Sequence, residues 1–241
     1  RIFLVKWLPD NAEALTGVYN ANVKIAVLMS LFITAFNYAA EPFFFKNANR
    51  ADAKPIYAQI GHAFSIVGSL VFLGIMLYID LVQLILGKNF RSGIKVVPIL
   101  LVAYFFLGLF YNFSIWYKLT DRTKIGAWIS IGGALVTILI NYLFIPTLGI
   151  KAPAFAALAC FAFMATVSYF IGKKYYPIDY PIGKMLTYII VAVAVFGLSE
   201  IIRPYLGENI FKILFVNTLL FMGYLGGFYL KEKPLSPNGE R

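Results

Sequence analysis

Seven long apolar segments occupy most of this 241-residue chain, and they restrict it to the lipid bilayer. They cover residues 17–45, 63–87, 96–119, 125–145, 152–172, 185–202 and 210–230. A helix needs about 20 apolar residues to cross about 30 Å of hydrocarbon, and each segment is close to that length or longer. Only 13% of the residues are charged, against about a quarter in soluble proteins. The sequence therefore predicts an all-α polytopic membrane protein with about seven transmembrane helices.

The basic residues lie at the ends of these segments and in the short loops between them. The net charge of +10 could by itself suggest nucleic acid as a partner. A nucleic-acid site, however, concentrates its lysines and arginines in one groove or along one face. Charge that is distributed around the ends of apolar segments is typical of membrane anchoring, so we expect membrane lipids and no nucleic acid among the partners.

Counting lysine and arginine in alternate loops predicts the orientation of the chain. Twelve lie in residues 46–54, 118–124, 173–184 and 231–241, and eight lie in residues 1–6, 88–95, 151 and 203–212. Short loops rich in these residues stay in the cytoplasm. The C-terminus is therefore predicted to be cytoplasmic, although the 88–95 loop runs against the bias.

Three regions are predicted along the chain. Residues 1–16 are expected to hold the end of a preceding helix and an outer loop, because the apolar run 2–8 is too short to span; the chain is then the C-terminal portion of a longer protein. Residues 17–174 form a core of five transmembrane helices. Residues 175–241 form a linker, two further helices and a cytoplasmic tail, with Pro177 and Pro181 favouring an extended linker.

The residue types that catalysis and metal binding require are scarce. No lysine follows the glycine spacing of a phosphate-binding loop, and His62 is the only histidine. The single Cys160 lies in an apolar segment, as a packed cysteine does. The loops are too short for a soluble catalytic domain. We therefore predict no catalytic residues, no metal site, no cofactor and no enzymatic activity.

Two ionisable residues within the segments stand out, since a charge in hydrocarbon is costly and usually faces a cavity or a partner. Lys24 lies about 10 Å inside the outer end of the first segment, at 1.5 Å per residue. It either lines a cavity and binds an anion or extends its amine to the interface. Asp80 lies at a similar depth in the next, antiparallel segment, so it either pairs with Lys24 or begins a short interfacial helix over 81–87.

A polar stripe follows the first segment. Ser30, Thr34, Asn37 and Glu41 are spaced by four, three and four residues, which places them on one helix face. The stripe either packs helix against helix or lines an aqueous path. The candidate substrate-binding residues are therefore Lys24, Thr34, Asn37 and Glu41.

Small residues recur every four positions in two later segments. Gly223 and Gly227 form a GxxxG pair, and Ala152, Ala156 and Cys160 form a second stripe. Both patterns predict close helix packing.

Several short motifs together resemble one family of membrane proteins. They are residues 17–19, 21, 24–26, 41–45, 87–90, 97–101 and 116–123, with Asn141, Ile145, Pro146 and Gly149. The chain resembles bacterial polysaccharide biosynthesis flippases, which include the O-antigen type and belong to the multidrug/oligosaccharidyl-lipid/polysaccharide exporter superfamily. The resemblance covers nearly the whole chain, although each motif is short.

The resemblance implies two six-helix lobes, often with two extra C-terminal helices, that give alternating access to a central cavity. The seven helices would then be numbers eight to fourteen, and the partner would be the N-terminal lobe of the same chain. The implied cargo is a polyprenyl-pyrophosphate-linked oligosaccharide, moved from the inner to the outer leaflet of the bacterial inner membrane for surface polysaccharide or lipopolysaccharide synthesis. In related lipid II flippases cationic residues on helix eight face the cavity, which favours Lys24 as a cavity residue.

Two other functions remain open from the sequence. A drug/cation antiporter of the same superfamily would need acidic residues at mid-membrane, whereas the clearest charge within the first segment is Lys24. A membrane-embedded glycosyltransferase or polymerase would need a catalytic carboxylate and usually a large outer loop. Asp80 is the nearest candidate for that carboxylate, and the predicted outer loops are short.

Overall fold

All the regular elements of the described structure are helices. The structure is a computed structural model that describes residues 12–207 and 209–232. The helix end predicted in residues 1–11 and most of the predicted C-terminal tail lie outside these ranges. The α-helices are α1 Ala12–Lys46, α2 Ala53–Leu77, α3 Ile79–Val82, α4 Val97–Phe113, α5 Ile115–Leu119, α6 Thr123–Leu148, α7 Ala152–Tyr175, α8 Ile182–Leu206 and α9 Ile210–Lys231.

Six helical stretches in the described part are long and apolar enough to cross a membrane. The longest, Thr123–Tyr175, contains two helices, α6 and α7, which are separated by a short 3-10 turn at Gly149–Lys151. Gly149 has a φ of 54°, which glycine adopts without the steric penalty of a side chain. A Cβ added to Gly133 of α6 would meet Met164 and Cys160 of α7, so the two helices fold back against each other. The predicted all-α polytopic membrane fold is confirmed.

The second helix differs most from its predicted bounds. It begins at Ala53, ten residues before the predicted apolar segment, and ends at Leu77, ten residues before its predicted end. The early start follows from packing: the Tyr57 hydroxyl, fully buried, donates to the Phe44 carbonyl of α1 at 2.7 Å. His62 therefore lies inside α2 and not at its start.

The stretch after α2 is a broken connection rather than the end of a continuous helix. It consists of α3, a 3-10 turn at Gln83–Ile85 and a longer 3-10 segment at Lys88–Val96. We call residues 79–96 the outer connection, following the predicted orientation. Asp80 lies in the first turn of α3, whose N-cap is Tyr78, so it does not begin a short helix over 81–87 as the alternative had it.

The core of the bundle is built around α4, which packs against α1, α2 and α7. Phe64 and Phe105 are fully buried there. Gly108 provides the space for the Phe64 ring, because a Cβ added to Gly108 would lie 2.0 Å from the ring carbon Cζ. Protein interiors are close-packed, so a contact of this kind fixes how α2 lies against α4.

The predicted linker between α7 and α8 is an irregular segment over residues 176–181 that packs back onto the bundle. Ile178 is buried, and the Tyr180 hydroxyl donates to the Asn112 carbonyl of α4 at 3.1 Å. Burial raises the pKa of the Tyr180 phenol, with smaller contributions from Tyr176 and Tyr57. The phenol therefore keeps its proton and its role as a donor at any physiological pH.

Polar contacts attach α8 and α9 to α2. The Leu77 carbonyl, at the end of α2, accepts a hydrogen bond from the Asn217 amide of α9 at 2.6 Å. The Asn217 Oδ1 in turn accepts from the Ser199 hydroxyl of α8 at 2.6 Å. Asn217 and Ser199 are only 5% and 7% exposed. The last carbonyls of a helix have no partner within the helix, so α9 satisfies one that the end of α2 leaves free.

The two small-residue stripes have different outcomes. Ala152, Ala156 and Cys160 are buried, which agrees with close packing. Added Cβ atoms at Gly223 and Gly227 would meet nothing within 4 Å among the described atoms. The prediction of close packing at this pair is therefore wrong for the described part of the chain. Both glycines instead line an open groove of about 390 Å³ between α8 and α9.

Candidate functional site

Lys24 lines a groove between α1 and the outer connection. The groove has a volume of about 640 Å³. One wall comes from α1 and includes Asn20, Lys24 and Leu28, and the other comes from residues 82–90 and includes Val82 and Ile85. Lys24 lies twelve residues after the start of α1, about 18 Å along the axis at 1.5 Å per residue. The groove thus places one cation against a wall that is largely apolar.

Asn22 holds the two walls together. It is fully buried, and its amide donates to the Val18 carbonyl at 2.8 Å and to the Phe90 carbonyl of the outer connection at 2.7 Å. Gly93 allows this approach, because a Cβ there would lie 2.5 Å from the Asn22 amide nitrogen. The groove is therefore a fixed feature of the fold and not a gap between loosely packed elements.

The electrostatics of the groove favour an anion. Lys24 is exposed, and no carboxylate lies within 4.0 Å of its amine among residues 12–207 and 209–232. Lys88 and Arg91 do not line the groove but add two positive charges on the 3-10 segment beside it. Clustered charge of one sign raises the local concentration of counter-ions, so the groove attracts negatively charged groups.

The polar stripe of α1 lies apart from this groove. Neither Thr34, Asn37 nor Glu41 lines it. At 100° per residue Thr34 is turned by about 80° and Glu41 by about 100° from Lys24 around the helix. Thr34 is exposed and Asn37 is half-buried. The structure thus does not join the four predicted substrate-binding residues in one cavity.

Glu41 has a partner of its own. Its carboxylate accepts from the Lys118 amine of α5 at 2.8 Å, near the C-terminal end of α1 and 17 residues beyond Lys24. Both side chains are partly exposed, at 46% and 31%, so the pair contributes little to stability. It does neutralise Glu41, which leaves this carboxylate less available to a ligand.

The predicted ion pair between Lys24 and Asp80 is wrong. The Asp80 Oδ1 accepts from Arg203 of α8 at 2.6 Å and from Gln83 at 3.0 Å. Equal depth in the membrane does not determine which face of a helix a side chain occupies. Because α2 ends at Leu77, Asp80 lies in α3 and faces α8, whereas Val82, two residues later, lines the Lys24 groove on the α1 side.

Sequence reasoning missed Arg203 and Asn22. The signal for Arg203 was a lone arginine close to the end of an apolar helix, where a carboxylate partner reduces the cost of burial. Asn22 lies in the apolar first segment next to Lys24. A buried amide has to satisfy its hydrogen bonds, and that requirement could have indicated a neighbouring backbone.

Comparison with family models, with curated proteins and with solved structures finds no match for this chain. The resemblance to polysaccharide flippases is therefore a prediction from the motifs alone. The structure adds a multi-pass helical membrane fold and the geometry of the Lys24 groove.

Proposed function

We propose that this chain is one lobe of a flippase that moves a polyprenyl-pyrophosphate-linked oligosaccharide across a bacterial inner membrane. The observation that carries the proposal is the Lys24 groove, where a cation without a carboxylate partner in the described structure faces Leu28, Val82 and Ile85. A lipid pyrophosphate has the matching chemistry, with a strongly anionic head next to a hydrocarbon chain. Lys24 binds the head, and the apolar wall contacts the first part of the tail.

The exposed face of α1 supports the two-lobe arrangement. Lys24, Leu31, Tyr38 and Phe45 recur every seven residues, and Leu31 and Tyr38 are 60% and 79% exposed. This stripe follows the helix from Lys24 to its C-terminal end. We propose that a preceding lobe of the same protein faces it and completes the transport cavity, since alternating access requires two units that move against each other around a central site.

The acidic residues favour this proposal over an antiporter. A drug/cation antiporter requires a carboxylate that is free to exchange a proton or a cation in the membrane. The two acids that the sequence placed near helix interiors, Glu41 and Asp80, each pair with a basic residue, Lys118 and Arg203. The Asp80 pair also argues against a glycosyltransferase, in which that carboxylate would have to act as a base.

Transport in liposomes tests the proposed function. A chain that carries the preceding lobe and the 241-residue chain alone are reconstituted with a fluorescent polyprenyl-pyrophosphate oligosaccharide. We expect the longer chain to move the lipid between leaflets without altering it, and the shorter chain to be inactive. A chemically changed lipid would overturn the flippase proposal, and movement by the shorter chain would overturn the two-lobe arrangement.

The proposed orientation is tested by labelling two exposed turns at opposite ends of the bundle. Asn49 follows α1, and Asn89 lies in the outer connection; both are exposed. In a Cys160→Ser background, we expect Asn89→Cys to react with a membrane-impermeant maleimide in intact cells, and Asn49→Cys to react only after the cells are opened. The reverse pattern would show that the C-terminus is on the outer side.

A further inference from the structure

The face of α1 that lines the Lys24 groove changes in chemical character from one turn to the next. Asn20, Lys24 and Leu28 all line the groove and are spaced by four residues. Side chains at this spacing are neighbours on a helix, with Cβ atoms about 5–6 Å apart. The groove therefore contains a neutral polar side chain, a cation and an apolar side chain in succession, over about 12 Å along the axis of α1.

The Asn20 amide has hydrogen-bond donors that the fold does not use. Its Nδ2 forms no hydrogen bond within residues 12–207 and 209–232. Its Oδ1 is buried without a partner, whereas Nδ2 is not buried and is therefore the accessible end of the amide. A buried acceptor tolerates the lack of a partner better than a buried donor does, which agrees with this orientation. The amide nitrogen carries two N–H groups, and both are available to a ligand one turn from Lys24.

Asn22, two residues later, differs from Asn20 in this respect. Its Nδ2 donates to the Val18 and Phe90 carbonyls at 2.8 Å and 2.7 Å, which occupies both of its N–H groups. These bonds hold α1 against the outer connection, so they also fix the backbone that carries Asn20. The position of Asn20 therefore does not depend on hydrogen bonds of its own side chain, and removing its amide should leave the groove intact.

A lipid pyrophosphate has its chemical groups in the matching order. Its hydrocarbon chain is followed by a first phosphate, a second phosphate and then the sugar. The two phosphates share one bridging oxygen, so two donors that are neighbours on a helix can each bind one of them. When the hydrocarbon contacts Leu28, the first phosphate lies at Lys24 and the second lies one turn further along α1, at Asn20.

The groove continues past Asn20 toward the N-terminal end of α1. Gly17 lines it there, and the nearest atom to a Cβ added at Gly17 would be a ring carbon of Phe90, 3.9 Å away. No side chain of α1 fills the space beside Gly17, so there is room for the sugar that the second phosphate carries. The sugar then lies nearer the end of the helix than the hydrocarbon does, which suits a bilayer whose hydrocarbon is at its centre.

We propose that Asn20 binds the second phosphate of the lipid and thereby gives the Lys24 groove a preference for pyrophosphate lipids over monophosphate lipids. This inference rests on the proposed function, because it places the same substrate in the same groove. Lys24 binds the phosphate next to the hydrocarbon chain in both classes of lipid. Only a second phosphate reaches the Asn20 Nδ2, which donates to its oxygens. The amide is neutral, so it strengthens binding only where an acceptor reaches it.

Two lipids that differ by one phosphate test this inference. Farnesyl diphosphate and farnesyl monophosphate are titrated by calorimetry into the chain that carries the preceding lobe, held in lipid nanodiscs. Asn20→Ala should weaken binding of the diphosphate about tenfold, the usual effect of losing one hydrogen bond to a charged group. It should leave binding of the monophosphate unchanged, and that unchanged affinity also shows that the variant is folded.

Further variants separate this inference from the proposed function. Lys24→Ala should weaken both lipids, and Asn20→Asp, which replaces the donors with a negative charge, should weaken the diphosphate more than Asn20→Ala does. Asn89→Ala is the matched control, because it removes the same side chain from an exposed position outside the groove, and it should weaken neither lipid. An unchanged diphosphate affinity in Asn20→Ala, or an equal loss of both lipids, would overturn the role of Asn20 and leave the proposed function in place. No binding of either lipid by the unsubstituted protein would overturn both.

Discussion

Replacing Lys24 with alanine is expected to weaken binding, and so to slow movement, of the proposed lipid-linked oligosaccharide while leaving protein abundance unchanged. Lys24 is exposed in its groove and forms no ion pair among the described residues, so its loss removes binding without removing a contact that supports the fold. A charge-assisted bond to phosphate contributes about 1.5–3 kcal/mol, so the loss of one predicts about a ten- to hundredfold weaker affinity. Surface polysaccharide in cells and lipid movement in liposomes containing the full protein are the two measurements.

Two comparison variants make this result specific. Lys24→Arg keeps the positive charge and should restore part of the activity, although its planar guanidinium does not reproduce a point charge. Lys212→Ala removes an exposed lysine from the first turn of α9, outside the groove, and should behave as wild type. Full polysaccharide in Lys24→Ala cells, or an equal loss in Lys212→Ala cells, would remove Lys24 from the substrate site.

Gly108→Ala is expected to destabilise the protein by about 3 kcal/mol, at the upper end of the usual cost of overpacking a core. The new Cβ would lie 2.0 Å from Cζ of Phe64, whose ring is fully buried and stacks on Phe32 at a centroid distance of 5.5 Å. The ring also packs against Phe36 and Phe105, with centroids 5.0 and 5.8 Å away, so relieving the clash requires this cluster to shift or α2 to move away from α4.

The chain contains its own probe for this measurement. Cys160 is the only cysteine and is 7% exposed, so its reaction with a fluorogenic maleimide during heating reports unfolding. Gly223→Ala is the matched control, because no described atom lies within 4 Å of its added Cβ. Alanine is favoured over glycine in helices by about 1 kcal/mol, so this variant should melt at the same temperature or slightly higher. Equal melting of the two variants would contradict the packing of Phe64 against Gly108.

Hydropathy and length sufficed to predict the helices, whereas side-chain partners required the fold. The apolar segments 125–145 and 152–172 correspond closely to α6 and α7, since the bilayer imposes both composition and length. The start of α2 was missed because its first turns contain Lys54, Pro55 and His62, which lower the hydropathy of a stretch that packing makes helical.

In the candidate site too, some residues could be predicted from the sequence, whereas their partners could not. Lys24 was predicted as a cavity residue because a charged amine in hydrocarbon is costly, and it does line a groove. The partner of Asp80 could not be derived, because Arg203 is 123 residues away along the chain and hydropathy carries no information on which helices are neighbours. The contribution of Asn22 was hidden for the same reason, since Phe90 is 68 residues distant.

The bond from Asn217 to the Leu77 carbonyl has a consequence for biogenesis. Asn217 is synthesised 140 residues after Leu77, so the end of α2 lacks this amide partner until α9 is in place. An unpaired buried carbonyl costs about 1–3 kcal/mol. Chains that stop before α9 therefore expose a defect in a helix made much earlier, and membrane proteases have a physical signal by which to distinguish unfinished chains from complete ones.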